Sequence, residues 1–252
     1  MSIFLSIVIP AYNEQHRIAD TLYAVKHYLA QQEYSSEVII VDDGSTDYTT
    51  EVVRTVDIYS SEIHNHKVSI IMENVKNVGK GFSVARGMLK AQGEIILFSD
   101  ADLATPIQEV EKFLPYFAQG YDIVIGSRRL PDSDVEKKPF YRDIMSILFN
   151  TLVQAIAVHG IHDTQCGFKA FRRAVAHDIA RLQRTYRFGF DVEQLYIASK
   201  RGYRIKEVPV RWVHQAGSTV RPMRDAFGMI ADVIRIKYMH ASLQPPTHTP
   251  QQ

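Results

Sequence analysis

Short apolar runs alternate with helix-like segments through the first half of the chain, and this alternation limits the fold more than any other feature. The runs "LSIVIP" (5–10) and "EVIIVD" (37–42) are typical of buried strands, and apolar residues from Ile18 to Leu29 recur at helical spacing between them. The pattern continues with strands near 68–72, 94–99 and 121–126 and helices near 47–56, 79–91 and after Pro106. It predicts an α/β fold with a doubly wound, mostly parallel sheet flanked by helices.

Length and composition are consistent with one domain. The chain has 252 residues, of which 46% are hydrophobic and 23% charged, as in an ordinary globular protein. We expect a single domain over 1–240 and a disordered tail over 241–252. The single cysteine, Cys166, excludes an internal disulfide and suits a reducing compartment. We expect the N-terminal residues to form the first strand and not a signal peptide.

Charge is distributed unequally along the chain. Residues 1–126 contain 9 Lys and Arg against 17 Asp and Glu, whereas residues 127–252 contain 20 against 11. This asymmetry suits a protein that binds a metal with its first half and an anionic partner with its second, although a basic half can also be only a solvated surface. Neither half has the interleaved aromatic and basic residues of a nucleic-acid binder, so we expect no nucleic acid partner.

Polar motifs follow four of the predicted strands. In a doubly wound sheet, ligands bind beyond the carboxyl ends of the strands, so these motifs are expected to form one site. The motifs are "PAYNE" (10–14), "DDGSTD" (42–47), "SDADLATP" (99–106) and "GSRR" (126–129).

Two of these motifs place acids where a cation could bind. Asp100 and Asp102 are two residues apart at a strand end, so both side chains point the same way, and carboxylate oxygens are the ligands that hard cations prefer. A lone D-x-D can also be an ordinary turn, and Asp42 and Asp43 can also be residues that cap a helix. The phosphate-binding G-x-x-x-x-G-K-[ST] loop is absent from the sequence, so a nucleotide would be held by another device.

Together the motifs carry a family resemblance. "VIPAYNE", "VDDGSTD", "NVGKG", "DADLATP" and "GSRR" resemble glycosyltransferase family 2, which implies a GT-A fold and transfer from a nucleotide sugar with inversion at the anomeric carbon. "DTQCGFKAF", "FDVEQL" and "EVPVRWVH" are similar to dolichyl-phosphate β-glucosyltransferases and their prokaryotic polyprenyl-phosphate relatives. The resemblance extends from about residue 5 to residue 240.

The resemblance implies a donor site in residues 1–126. Asp102 is expected to be the principal ligand of a divalent cation, Mg²⁺ or Mn²⁺, with Asp100 as its partner. The cation neutralises the departing diphosphate. The nucleotide sugar is expected to bind residues of the same half: Pro10, Tyr12, Glu14, Asp42, Asp43, Lys80, Asp100, Ala101 and Asp102.

An acceptor site is implied in residues 127–240. Related mannose synthases bind the lipid phosphate with the arginine of a G-S-R motif and with an arginine and a serine four residues apart, which here are Arg128, Arg142 and Ser146. Asp191 is a candidate base, although Asp191 and Glu193 can also be helix N-terminal charges. The predicted catalytic residues are Asp100, Asp102, Arg128, Arg142 and Asp191. The mannose synthases continue their acidic motif as D-A-D-L-Q, whereas this chain has Ala104, which favours the glucosyl branch and leaves the other metal ligands open.

Two apolar or amphipathic segments, 144–161 and 224–239, follow the proposed phosphate-binding arginines, Arg128 and Arg142. We expect interfacial helices there, with burial in the core as the alternative.

The predicted enzyme transfers glucose from UDP-glucose to a polyprenyl (dolichyl-type) phosphate and yields polyprenyl β-glucosyl phosphate. It is expected on the cytoplasmic face of a membrane as a peripheral protein. A partner membrane protein or a homo-oligomer is left open. The alternatives are a family 2 transferase that uses GDP-mannose or another nucleotide sugar, one with a soluble acceptor, and a non-catalytic nucleotide-sugar-binding module.

Overall fold

A seven-stranded sheet organises the protein. In this computed structural model, which describes residues 2–56, 66–136, 153–154, 157–187, 189–214 and 222–245, the strand order is β3-β2-β1-β4-β6-β5-β7. The strands are β1 Leu5–Ala11, β2 Ser36–Asp42, β3 His66–Glu73, β4 Ile95–Ser99, β5 Ile123–Ser127, β6 Phe168–Arg172 and β7 Ile205–Pro209.

The sheet is mostly parallel, as predicted, with one exception. β1, β2, β3 and β4 form parallel pairs, and β5 is parallel to β7. β6 is antiparallel to both of its neighbours, β4 and β5. Because β4 and β5 are each antiparallel to β6, they run in the same direction. The polar motifs after β1, β2, β4 and β5 therefore lie along one edge of the sheet, as the sequence predicted.

Helices cover both faces of the sheet. They are α1 Ile18–Leu29, α2 Thr49–Thr55, α3 Lys80–Lys90, α4 Leu114–Ala118, α5 Arg173–Leu182, α6 Phe190–Lys200 and α7 Pro222–Met239. The period-two alternation of the strands divides the core in two: Ile96 and Phe98 of β4 pack among residues of α3, α5 and α6, whereas Ile95 and Leu97 pack among residues of α1. The apolar spacing from Ile18 to Leu29 correctly predicted α1.

The segment after Pro106 is less regular than the predicted helix. A 3₁₀ helix, Ile107–Lys112, comes first, and the short α4 begins at Leu114. Pro115 explains the break, because its missing N–H cannot continue a helix from the preceding turn but is tolerated in the first turn of a new one.

The two predicted interfacial segments are described to different extents. Arg142, Ser146 and most of 144–161 lie outside the described residues, but Val153 and Val158 near the end of that segment are buried in the core. α7 is amphipathic: Ile236 is buried, while Ile234 and Tyr238 are exposed. Within the part of the chain that the structure describes, no helix has both the length and the apolar character needed to cross a membrane.

The first residues of the predicted tail pack against the protein. The Gln244 carbonyl accepts a hydrogen bond of 2.9 Å from Arg201 Nη1, and Leu243 lies against the apolar core. Residues 243 and 244 thus contact the rest of the protein, and the disorder of the tail stays a prediction. Residues 246–252 lie outside the described residues.

Candidate active site

The D-x-D acids begin where β4 ends. β4 is completely buried, and Asp100 and Asp102 follow in a tight turn in which Leu103 takes a φ of 45° and its N–H donates to the Asp100 carbonyl at 3.2 Å. Asp102 Oδ1 accepts the Ala104 N–H at 3.0 Å. The buried strand thus delivers two carboxylates to the carboxyl edge of the sheet, and the turn holds them there.

Gly167 makes room for the first of these acids. It precedes β6, and its carbonyl accepts the Asp100 N–H at 3.1 Å. A Cβ at position 167 would lie 2.1 Å from Asp100 Oδ2, far inside van der Waals contact. Because glycine has no Cβ, the Asp100 carboxylate can occupy this space.

Lys80 forms an ion pair with Asp100. It is the first residue of α3, and its Nζ lies 2.5 Å from Asp100 Oδ1. Burial acts to lower the pKa of Lys80, but Asp100 and Asp191 outweigh it and raise that pKa above its usual range. Lys80 is therefore a charged ammonium at neutral pH, and its role in binding a nucleotide sugar stays a prediction.

The surroundings of Asp102 favour the arrival of positive charge. Burial raises the pKa of Asp102, and the negative charge of Asp100 raises it further, against the opposing effects of the Ala104 N–H and Lys80. A cation bound between the two acids would favour the ionised form of Asp102 and so oppose both effects on its pKa. The described residues contain no cluster of three or more His, Cys, Asp or Glu side chains suited to a metal. The metal-binding role of Asp100 and Asp102 stays a prediction.

Asp42 and Asp43 hold loops in place. Asp42 accepts the N–H groups of Gly44 and Ser45 at 3.1 and 3.0 Å and the Ser45 hydroxyl at 2.5 Å. Asp43 is buried and accepts the Asn74 side-chain amide and the Gly79 N–H, both at 2.8 Å. Asp43 thus anchors the loop that leads into Lys80. Their role in nucleoside binding stays a prediction.

The remaining donor-side residues line the same edge. Pro10 is paired with Val41 inside the sheet, and the Ala101 carbonyl accepts the Thr21 hydroxyl at 2.6 Å. Tyr12 is 44% exposed, so its ring is accessible to the nucleobase of a donor. The pKa of Glu14, which pairs with Arg17 at 2.7 Å, is raised by burial and also by the charge of Asp102, so Glu14 belongs to the same electrostatic site.

Arg128, the predicted acceptor-side arginine, forms a bidentate ion pair with Asp163. Its Nε and Nη2 donate to the two carboxylate oxygens at 2.7 and 2.9 Å, and its backbone N–H donates at 2.9 Å. Burial alone would raise the pKa of Asp163, but the Arg128 charge and hydrogen bonds lower it well below its usual range. Arg142 and Ser146, the predicted partners of Arg128, lie outside the described residues.

Asp191 lies at the start of α6 and pairs with a lysine that sequence reasoning missed. Lys169 of β6 is fully buried, and its Nζ donates to Asp191 Oδ1 and, at 2.7 Å, to the Cys166 carbonyl. Its signal in the sequence is a single lysine inside the apolar run "FKAF". Burial raises the pKa of Asp191, while Lys169 and Lys80 act to lower it.

Glu193, the other acid of "FDVE", serves a different purpose. It is fully buried and accepts the backbone N–H groups of Arg184 and Thr185 at 2.9 and 2.6 Å. Its Oε1 also lies 2.6 Å from Nε2 of the buried His240, just beyond α7. Glu193 therefore joins α6 to the loop before it and to the end of α7.

A mixed sheet with one inserted antiparallel strand and an acid pair at its carboxyl edge is the GT-A fold of glycosyltransferases. Solved structures share it: glucosyl-3-phosphoglycerate synthase from Mycobacterium tuberculosis with phosphoglyceric acid superposes with a TM-score of 0.67 at 17% identity over 97% of this chain and 82% of that one. The same synthase with Mn²⁺, UDP-glucose and phosphoglyceric acid gives a TM-score of 0.66 at 18% identity, with the same coverage.

The chain belongs to glycosyltransferase family 2, and it is an enzyme of that class. The family model, described as "Glycosyl transferase family 2", matches residues 6–180. Relatives named dolichyl-phosphate beta-glucosyltransferase include that of Dictyostelium discoideum, 37% identical over 95% of this chain and 75% of its own length. Those of Homo sapiens and Saccharomyces cerevisiae are each 35% identical, over 93% and 94% of this chain and 76% and 75% of their own lengths. These findings confirm the family and the fold read from the motifs.

Proposed function

We propose that this enzyme transfers glucose from UDP-glucose to a polyprenyl phosphate with inversion, assisted by a divalent cation. The observation that carries the proposal is the acid pair Asp100 and Asp102 at the carboxyl end of β4, in a chain similar along nearly its whole length to dolichyl-phosphate beta-glucosyltransferases. The relatives' names support the lipid acceptor and the sugar. UDP and Mn²⁺ are bound together in a crystal structure of the Mycobacterium tuberculosis synthase, which has the same fold.

The acid pair fits a cation held jointly by protein and substrate. Mg²⁺ is commonly bound through one or two carboxylates, with substrate phosphates and water supplying the other ligands. Asp102, whose pKa is raised by burial and by Asp100, and Asp100, seated in the space left by Gly167, offer two such carboxylates. A bound divalent cation would neutralise the charge that develops on the diphosphate.

Lys80 and the acceptor phosphate complete the chemistry. An oxygen of the polyprenyl phosphate attacks the anomeric carbon, the bond from that carbon to the UDP oxygen breaks, and UDP leaves with the electron pair. A phosphate monoester, with a second pKa of about 6, is already an oxyanion at neutral pH, so no proton must be removed. The Lys80 ammonium, 2.5 Å from Asp100, would stabilise the departing diphosphate.

On the acceptor side, Arg128 is proposed to bind the lipid phosphate together with Arg142 and Ser146. Asp163 occupies the guanidinium edge formed by Nε and Nη2, so the phosphate would meet Arg128 through Nη1. Asp163 fixes the plane of the Arg128 guanidinium group, and in this way the carboxylate would orient the arginine for phosphate.

Membrane contact is proposed through α7. Its exposed Ile234 and Tyr238 alternate with Arg235 and Lys237, a pattern that suits the interface of an anionic bilayer, and Tyr238 is 79% exposed. The enzyme would then be peripheral on the cytoplasmic face, where the nucleotide sugar is made available to it.

One observation favours a second candidate, a family 2 enzyme with a soluble phosphorylated acceptor. Val153 and Val158, at the end of the apolar segment 144–161, lie in the core and not on a surface. Helices that meet lipid would keep such residues outside.

A panel that varies the sugar donor, the acceptor and the metal tests the proposal. The purified protein is incubated with UDP-glucose, UDP-galactose and GDP-mannose, each with polyprenyl phosphate or with phosphoglycerate, in Mg²⁺, Mn²⁺ or chelator. The expected result is lipid-linked glucose from UDP-glucose alone, lost in chelator. Transfer to phosphoglycerate only would establish the soluble-acceptor candidate, and binding of UDP-glucose without any product would identify a non-catalytic module.

A further inference from the structure

Lys169 is a charged side chain in a place that ordinarily excludes charge. It is the second residue of β6, lies opposite Phe98 of β4, and is fully buried. Taking an ammonium out of water costs several kcal/mol unless it is paired and hydrogen-bonded, on the order of what a small domain gains from several good contacts. Its partners, the Asp191 carboxylate and the Cys166 carbonyl, meet that requirement. An apolar residue would fill the same space at lower cost, so the charge calls for a reason.

The position of the pair in the fold supplies one. Phe98, the residue opposite Lys169, comes two residues before Asp100 on the strand that carries the acid pair. The Nζ atoms of Lys169 and Lys80 lie 5.8 and 5.3 Å from the centre of this one Phe98 ring. The Lys80 Nζ is also 5.9 Å from the ring of Phe190, the residue before Asp191. The two lysines therefore flank the same aromatic wall behind the acid pair.

Four charges of alternating sign lead from the core to the donor edge. Lys169 contacts Asp191, and Lys80 pairs with Asp100 at 2.5 Å. The two pairs meet at α6, because the Lys80 Nζ lies 5.9 Å from the ring of Phe190, the residue before Asp191. When a cation and a diphosphate bind at the acids, the cation competes with Lys80 for the Asp100 carboxylate and binds it more strongly. The bound diphosphate then attracts Lys80, and Asp191 is the carboxylate of the protein that would keep Lys80 in the site once UDP has left.

We propose that Lys169 is a positioning residue for glycosyl transfer: its buried ammonium holds the Asp191 carboxylate at the start of α6, and Asp191 in turn keeps Lys80 beside the diphosphate. Lys169 touches no substrate, because it lies inside the sheet beneath Phe98. The inference rests on the proposed function, since it requires the donor diphosphate to lie next to Lys80.

The alternative is that the pair only fastens α6 to β6. A double variant separates the two roles. Removing one partner leaves a lone buried charge, which is strongly destabilising, whereas removing both is often neutral. Lys169→Met combined with Asp191→Asn leaves no lone buried charge and should therefore regain part of the stability lost in Lys169→Met. If the pair serves transfer, the double variant stays slow although it is stable.

The experiment compares four proteins: wild type, Lys169→Met, the double variant Lys169→Met/Asp191→Asn, and Lys112→Met as the control. Lys112 is an exposed lysine of the 3₁₀ helix that pairs with Glu109, three residues before it. Thermal unfolding, UDP-glucose affinity by calorimetry, and kcat and KM for polyprenyl phosphate are measured for each.

We expect Lys169→Met and the double variant to lose roughly 100-fold in kcat, the scale of a misplaced catalytic group, while KM for the acceptor stays near the wild-type value. Lys112→Met should behave as wild type. A double variant that regains both stability and kcat would show that the pair only supports the fold. If the double variant did not fold either, the pair would be needed for folding itself and the proposal would be overturned.

The same measurements separate this inference from the proposed function. If the wild-type protein transferred no glucose to polyprenyl phosphate, the proposed function would fail. The slow release of UDP from UDP-glucose to water would still report on Lys169, because that reaction breaks the same bond beside Lys80. An unchanged release rate in the double variant would then overturn the positioning role independently.

Discussion

At the ends of β1, β2 and β4 the described carboxylates outnumber the nearby cations, whereas at the end of β5 Arg128 is matched by one carboxylate. The donor-side acids are Glu14, Asp42, Asp43, Asp100 and Asp102. Two of them, Asp42 and Asp43, are stabilised by backbone N–H groups, whereas burial and then the negative charge of Asp100 raise the pKa of Asp102. Arg128 and Asp163, by contrast, neutralise each other.

This difference shows how the same two charge types serve different purposes. An acid pair that is short of positive charge is ready to bind a cation that arrives with the substrate. A matched buried pair has no such demand, so it contributes rigidity and orients whatever the arginine binds with its other edge. The following predictions test the two halves of this comparison, from the largest expected effect to the smallest.

Asp163→Asn should lower the free energy of unfolding by about 3 kcal/mol, the lower end of the range for buried pairs, because it leaves the partly buried Arg128 without its charged partner. Urea denaturation measures the loss. The matched control is Asp134→Asn, which breaks an exposed pair with Arg211 (N–O distance 3.6 Å). An exposed pair contributes only about 0 to 1 kcal/mol. Equal effects of the two substitutions would contradict a matched, buried acceptor-side pair.

Asp102→Asn should reduce transfer roughly 10²- to 10³-fold, because the amide keeps the shape of the side chain but loses the charge that the cation needs. Activity is measured across a Mn²⁺ titration, where the variant should require more metal. Asp20→Asn, on the exposed surface of α1, is the control and should be as active as wild type. Wild-type turnover of Asp102→Asn at limiting metal would remove the acid pair from the metal site.

Gly167→Ala should raise the activation free energy of the metal-dependent reaction by about 1 to 3 kcal/mol, because the new Cβ must push the Asp100 carboxylate aside. The control is Gly202→Ala, at the end of α6, where φ is 76°. That change should cost about 1 to 2 kcal/mol of stability for the left-handed backbone and leave turnover unchanged. The idea fails if Gly167→Ala binds Mn²⁺ and UDP-glucose as tightly as wild type.

The stabilising effect of Asp163 should decline in acid. Arg128 lowers the pKa of Asp163 in the folded protein, so the contribution is complete above the unfolded pKa of about 3.9 and is lost as the pH falls toward the folded value. The difference in unfolding free energy between wild type and Asp163→Asn should therefore shrink by about 1 kcal/mol between pH 5 and pH 3. A difference that grows in acid would have the wrong sign for a paired carboxylate.

The sequence predicted the donor side better than the acceptor side for a physical reason. Strand alternation and parallel pairing are local rules, so the ends of β1, β2 and β4 could be aligned from periodicity alone. The hydrogen bonds of Asp43 could not be predicted in this way, because its partners, Asn74 and Gly79, come from a distant loop.

The acceptor side depends on a strand that local patterns do not locate. Nothing in "FKAFR" indicates that β6 inserts antiparallel between β4 and β5, and this insertion is what brings Gly167 to Asp100 and Lys169 to Phe98. The pairing of Arg128 with Asp163 was missed for the same reason, because "GSRR" and "DTQCGF" are far apart in the chain. The family resemblance identified these motifs but not their contacts.

The inserted strand also dictates the order in which the protein can be assembled during synthesis. When β5 has left the ribosome, the strands β3, β2, β1 and β4 can already pair, but β4 presents an open edge and β5 has no neighbour, since both β6 and β7 are made later. Pairing with β6 must then join segments distant in the chain, which is slow to form. A nascent chain that stops before β6 therefore carries the sequence motifs of the donor site without the strand that completes it, and its exposed β4 edge is where premature aggregation would begin.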